Sequence, residues 1–180
     1  MHAIEQSPSD ERGTLLAYVE AQRGALRRAL LGLTEEQAAL KPSASELSLG
    51  GLLKHAAEAE HGWVRRARQL PPDGQRDETN WHESFRLMEG ESVASVLAYW
   101  EKVARETEEF IRSVPSLEDT FPLPDKPWFP PTPRVSMRWM LLHVIEELAR
   151  HAGHADVIRE SLDGKTGGEL LAEEAAAEAP

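Results

Sequence analysis

Five residues of this 180-residue sequence have the side chains and the spacing to hold a cation: His55, His143, Glu147, His151 and His154. At 3.6 residues per helical turn the last four fall within an arc of about 80°, so they share one stripe. Glu147 and His151 stand four apart, which projects their side chains from successive turns toward the same point. His55 lies in another segment and can bring a third ligand from a facing helix. Imidazoles and a carboxylate turned toward a core must be paired, hydrated or ligated, because each unsatisfied buried polar group costs about 1–3 kcal/mol. One divalent ion satisfies all three, and three N/O ligands leave positions open for water or substrate. The donor set suits zinc, nickel, iron or manganese. Read without a metal, the same residues make a solvated helix face with ordinary ion pairs.

Other side chains are placed around this centre. His154, one turn from His151, is the candidate proton shuttle or orienting group. Glu58, three residues after His55, is a candidate to orient that ring, and His143 and Trp63 are candidates to support or line the pocket. The plainer reading makes Trp63, Trp100 and Trp139 core packing, turns Glu60 and His61 to solvent, and explains Arg65, Arg66 and Arg68 by the dipole at a helix end.

The elements that must position these groups are helices. Four segments repeat apolar residues at helical spacing: about Glu11 to Leu31, Ser48 to Leu70, Ser92 to Val114, and Ser136 to Leu162. Pro71 and Pro72, Pro115 and Gly32 stop the first three, and Ser48 and Ser136 are suited to cap helix starts. Thr34 with Gln37 has capping-box spacing for a short turn. The stretch 71–90 reads as a structured crossover with Trp81 and Phe85 available to pack. In the proline-rich stretch 121–136, Trp128 and Phe129 are available to close one end, and no strand signal is evident. The expected fold is all-α, an antiparallel four-helix bundle over residues 1–162 with long irregular crossovers. Residues 163–180 form an acidic, alanine-rich tail expected to stay disordered.

Composition narrows the chemistry. With 20 basic and 31 acidic residues the formal charge is −11, which disfavours nucleic acid and anionic membrane surfaces as partners. The chain has no cysteine, so disulfides, thiolate zinc sites and cysteine nucleophiles are excluded. Neither a signal peptide nor a membrane span is evident, so a cytoplasmic protein acting on a small molecule is expected. Its exposed helix faces are compatible with a homodimer.

The stretch LSLGGLLKHAAEAEHGW, followed by MLLHVIEELARHAGHADVIRE, resembles the DinB/YfiT-like superfamily of metalloenzymes, from about Thr14 to Glu160. In that family a second-helix histidine joins two residues four apart in the last long helix, usually HxxxH followed by Arg-Gly-Gln. The resemblance puts His55, Glu147 and His151 in the ligand positions and Gly153 at the family glycine. Glu147 stands where many members have histidine, and an ExxxH pair is similar to the mycothiol-dependent maleylpyruvate isomerase branch. The opening segment is similar to an actinobacterial-type subgroup. What the resemblance implies is a four-helix bundle with a metal in a cleft and, in several branches, a low-molecular-weight thiol such as mycothiol as cosubstrate. The leading expectation is thus a metal-dependent enzyme that activates a thiol for S-transfer to, or isomerisation of, a small electrophile. Two rivals accompany it: a metal-dependent hydrolase, and a non-catalytic, stress-associated bundle or binding module.

Overall fold

The computed structural model describes residues 10–71, 76, 79–124 and 130–177. Trp128, Phe129 and Pro72 lie outside the described residues. The helices are α1 (Glu11–Arg28), α2 (Glu35–Ala39), α3 (Leu49–Ala67), α4 (Val93–Ser113), α5 (Met137–Asp163) and α6 (Gly167–Ala177). A short 3-10 turn spans Trp81–Phe85, and two strands, β1 (Thr120–Pro122) and β2 (Arg134–Ser136), pair antiparallel. The long helices α1, α3, α4 and α5 pack as the expected four-helix bundle, with α3 against both α4 and α5 and α1 against α5.

The helix starts follow from their caps. Asp10, Ser48 and Ser136 each accept a hydrogen bond from the backbone N–H three residues on, and Thr34/Gln37 and Ser92/Ser95 form reciprocal capping boxes. α5 has 27 residues, about 40 Å at 1.5 Å per residue, and ends at Gly164, whose φ of +82° is the left-handed conformation that favours glycine. The core joins Leu52, Leu53 and Ala56 of α3 to Trp100 and Val103 of α4, Leu141, Val144 and Leu148 of α5, and Val19 and Leu26 of α1. Arg159, 2% exposed, donates to the carbonyls of Ala29 and Leu31 at 2.9 Å each, satisfying acceptors left at the end of α1.

Three features depart from the expectations. First, the proline-rich stretch holds a minimal hairpin: Phe121 is fully buried opposite Val135, while Pro122 sits at the strand end. Strands of three residues are too short to display an alternating pattern, and prolines are tolerated at such edges. Ser136 ends β2 and caps α5, and the N–H groups of Met137 and Arg138 donate to Asp119 and Leu117.

Second, residues 167–177 of the acidic tail form α6 and pack on α1. Leu170 is 1% exposed, and Arg28 pairs with Glu174 at 3.0 Å. One buried leucine supplied the anchor that composition concealed. Leu170→Ala is expected to lower stability by about 2 kcal/mol, read as a fall in melting temperature of about 4–8 °C, with metal affinity unchanged.

Third, Glu60 does not face solvent. It is 1% exposed between α1, α3 and α4, where it meets Arg23, Trp100 and Thr107.

The approach of the 3-10 turn to α3 decides how the candidate site is built. A Cβ on Gly51 would lie 1.9 Å from the carbonyl oxygen of Phe85, so only glycine admits the turn this close. Gly51 lies one helical turn before His55, on the same face, and the contact therefore delivers Ser84 and Phe85 onto the His55 ring. Gly51→Ala must push that backbone away. The expected cost is about 2 kcal/mol in thermal unfolding, with a parallel loss of metal affinity through the displaced Ser84.

Candidate metal centre

His55 on α3 and Glu147 and His151 on α5 converge. Their ligand atoms all lie within 4.8 Å of one another. Glu147 Oε1 is 3.1 Å from His55 Nε2 and 3.2 Å from His151 Nε2. Both imidazoles are buried, at 3% and 6% exposure, and Glu147 is half-buried.

The outer hydrogen bonds fix which nitrogens point inward. Ser84 Oγ donates its one proton to the carbonyl of Trp81 at 2.8 Å, so at 3.2 Å it accepts from His55 Nδ1–H. His55 Nε2 then faces Glu147. Phe85 stacks on the same ring at 3.9 Å between centroids. His151 has its Nδ1 at 3.4 Å from His154 Nδ1, which leaves its Nε2 for the centre. Hydrogen bonding with the His151 and His55 rings holds the Glu147 carboxyl well below the usual carboxylate range, against the opposing effect of burial.

This donor set fits a divalent ion. Bonds of about 2.0–2.1 Å in a tetrahedron set neighbouring ligand atoms about 3.3 Å apart. Two of the three pairs already stand near that spacing, with both nitrogens and the carboxylate turned to one point. Coordination would require both inward-facing imidazole nitrogens to be unprotonated, which the Nδ1–H···Oγ bond of His55 to Ser84 favours for Nε2. His55 and Glu147 also line a cavity of about 1000 Å³, so positions left open by three protein ligands face a space able to admit a small molecule.

Other sequence candidates sit around this point in different ways. His143 lies one turn before Glu147 and lines the cavity without joining the cluster; it stacks on Trp139 at 4.9 Å and meets the edge of Trp63 at 4.6 Å. Trp63 is a wall residue rather than core, and Trp139 is 38% exposed, whereas Trp100 is core as expected. Glu58 lines the cavity, but its carboxylate is held by Arg76 at 2.7 and 2.9 Å and faces Lys54 at 3.8 Å; the partner of His55 is Ser84 instead. His154 is exposed and touches His151 from behind, outside the cavity lining. His61, expected at the surface, lines the cavity and hydrogen bonds Tyr99 at 2.6 Å.

Ser84, Lys54, Arg76 and Glu91 are neighbours of the candidate site that the sequence reading did not single out, and Phe85, read there only as available to pack, stacks on His55. Lys54 is 3% exposed, with Nζ 2.6 Å from Glu91. The aromatic pair in the crossover was the available signal for the turn; nothing marked the serine beside it.

The model of the mycothiol-S-transferase family matches residues 14–164. This chain belongs to that family. The family lies within the DinB/YfiT-like superfamily that the histidine motifs resemble. Among solved structures, one described as a conserved protein from Enterococcus faecalis shares the fold, with a TM-score of 0.69 at 17% identity over 87% of this chain and 99% of that one. No curated protein matches the chain. Among the described residues no helix is long and apolar enough to cross a membrane.

Proposed function

We propose that this member of the mycothiol-S-transferase family transfers a low-molecular-weight thiol of the mycothiol type to a small electrophile, using a divalent transition metal held by His55, Glu147 and His151. The observation that carries the reading is the three-donor cluster, two of whose members, His55 and Glu147, line a cavity of about 1000 Å³, in a chain of this family. A cation held by these three residues would lower the pKa of a thiol and so supply a thiolate nucleophile at neutral pH. The protein's own part is orientation. Ser84 and Phe85 fix the His55 ring, His154 steadies His151, and Glu147 supplies a carboxylate that remains ionised across working pH. Lys54 and Arg76, each matched to carboxylates, stiffen the wall beside the ligands. In the transfer the thiol gives its proton to solvent water, a sulfur–carbon bond forms and the bond from that carbon to the leaving group breaks, the leaving group departing with the electron pair.

The test sets purified, metal-loaded protein against a thiol plus a chloroarene, and against a panel of esters without thiol. Thiol-dependent conjugate formation, lost on chelation, is the expected result. Ester cleavage needing no thiol would move the reaction to hydrolysis. A melting temperature and a ligand affinity both indifferent to chelation would overturn the metal reading and leave a non-catalytic bundle.

A further inference from the structure

Two proton-carrying side chains of the cavity belong to no part of the donor cluster. His61 of α3 and Tyr99 of α4 both line it, and Tyr99 Oη is 2.6 Å from His61 Nδ1, with the rings edge to face at 5.7 Å between centroids. Tyr99 is 36% exposed, so core packing does not impose the contact. A phenol and a neutral imidazole each carry one such proton, and the hydrogen bond between them uses only one of the two. With His61 Nδ1–H donating, the phenol proton is directed to a further acceptor. The same N–H then stabilises the phenolate once that proton has gone.

The position of the pair decides which reaction it can serve. His61 stands six residues beyond His55, about 9 Å along α3. Ala59, Gly62 and Val96 line the same cavity, and a Cβ added at Gly62 would meet nothing within 4 Å, so this stretch of wall leaves room for a compact apolar body. Electrophiles differ in where they send the electron pair that sulfur displaces. A carbonyl keeps its oxygen on the attacked carbon, on the side of the donor cluster. A chloroarene releases a stable halide that needs no proton. In-line opening of a strained cyclic ether sends its oxygen out opposite the sulfur, as a basic alkoxide that must be protonated. Resting on the transferase reading, we infer that the electrophile is an epoxide with an apolar substituent, that Tyr99 is the catalytic residue protonating its oxygen, and that His61 positions the Tyr99 hydroxyl. The sulfur–carbon bond forms as the carbon–oxygen bond breaks, and the electron pair stays on oxygen, which takes the Tyr99 proton. The phenolate recovers a proton from water, the pool that received the thiol proton, and nothing is oxidised or reduced.

Calorimetric titration of the full-length, metal-loaded protein with two thioethers tests this without requiring turnover. One is the 2-hydroxy-2-phenylethyl thioether of mycothiol, the product expected from styrene oxide, and the other is its 2-phenylethyl counterpart, which lacks the hydroxyl. The hydroxyl-bearing thioether should bind roughly threefold to tenfold more tightly. Tyr99→Phe keeps the ring and should bring the two affinities level, with melting temperature and zinc affinity unchanged as the check on folding. Equal affinities in the unaltered protein, or a hydroxyl preference indifferent to Tyr99, would overturn the assignment.

A transfer assay with mycothiol then compares styrene oxide with 1-chloro-2,4-dinitrobenzene. Tyr99→Phe should lower kcat for the epoxide about a hundredfold and leave the chloroarene within about threefold, because only the epoxide needs the proton. His61→Leu should slow the epoxide alone, and His61→Asn, which puts an amide N–H in place of Nδ1–H, should recover part of that loss. Equal losses on both electrophiles would mean that the pair only shapes the cavity, and would overturn its catalytic role. Transfer to the chloroarene with none to the epoxide overturns the inference and leaves the transferase reading. Tyr99-dependent hydroxyl binding without transfer to either electrophile removes the transferase reading, overturns the proton transfer and leaves the pair as a hydroxyl-binding site.

Discussion

His151→Ala should lower zinc affinity by more than a hundredfold and abolish thiol transfer, with the protein still folded. The expectation scales from the ligands outward. Losing a hydrogen-bond partner of a metal-binding histidine typically costs about 10–100-fold in affinity, which is the effect expected of Ser84→Ala, because Ser84 Oγ accepts from His55 Nδ1 at 3.2 Å. Removing an imidazole that itself faces the centre must cost more. His55→Ala should resemble His151→Ala, and Glu147→Gln keeps the shape but removes the only anion among the three donors. Competition against a chelator of known affinity reads all four variants. An affinity in His151→Ala equal to that of the unaltered protein would show that zinc sits elsewhere. The pH dependence carries a sign as well. Imidazoles must shed protons to coordinate, so zinc affinity should rise with pH through the range where histidine titrates. Glu147, whose carboxyl is held low by its histidine partners, remains ionised there and adds no slope of its own.

The convergence of the candidate donors was legible because helical spacing is a geometric rule: Glu147 and His151 must share a face once α5 is a helix, and the apolar repeat with Ser136 as cap makes it one. The supports were not legible, because they come from segments without a period. Ser84 reaches His55 from 29 residues away through a turn whose position depends on Gly51 having no side chain. Glu58 and Glu60 show how narrow the margin is within one helix. Two residues apart, they differ by about 200° around the axis; one lines the cavity with Arg76, and the other enters the core toward Arg23. Nothing in α3 alone announces that α1 offers a buried arginine. The same holds for α6, where Leu170 outweighs an otherwise solvated composition.

Glu60→Ala should be the most damaging substitution for stability, at about 3–5 kcal/mol, the cost typical of stripping one partner from a buried ion pair. Both carboxylate oxygens are used: Oε2 accepts from Arg23 Nε and Trp100 Nε1 at 2.9 Å each, while Oε1 accepts from Arg23 Nη2 and from Thr107 Oγ at 2.6 Å. The alanine variant leaves Arg23, 4% exposed, with Glu20 as its remaining carboxylate, and leaves the indole donor unmet, while the Thr107 hydroxyl keeps the Val103 carbonyl at 2.9 Å. In thermal unfolding that loss is a fall of about 6–20 °C for a domain of this size. Glu60→Gln retains an acceptor for Trp100 or Thr107 but loses the charge, so it should fall between alanine and the native residue. The informative variant is Arg23→Met with Glu60→Leu: replacing both charges by apolar groups of similar volume removes the desolvation cost together with the attraction. That pair should recover most of the stability lost in Glu60→Ala. A double variant as unstable as the sum of its single changes would mean that Trp100 and Thr107, rather than the ion pair, are what Glu60 holds in place. Metal affinity should stay unchanged throughout, because Glu60 projects into the core between α1 and α4, away from the face of α3 that carries His55.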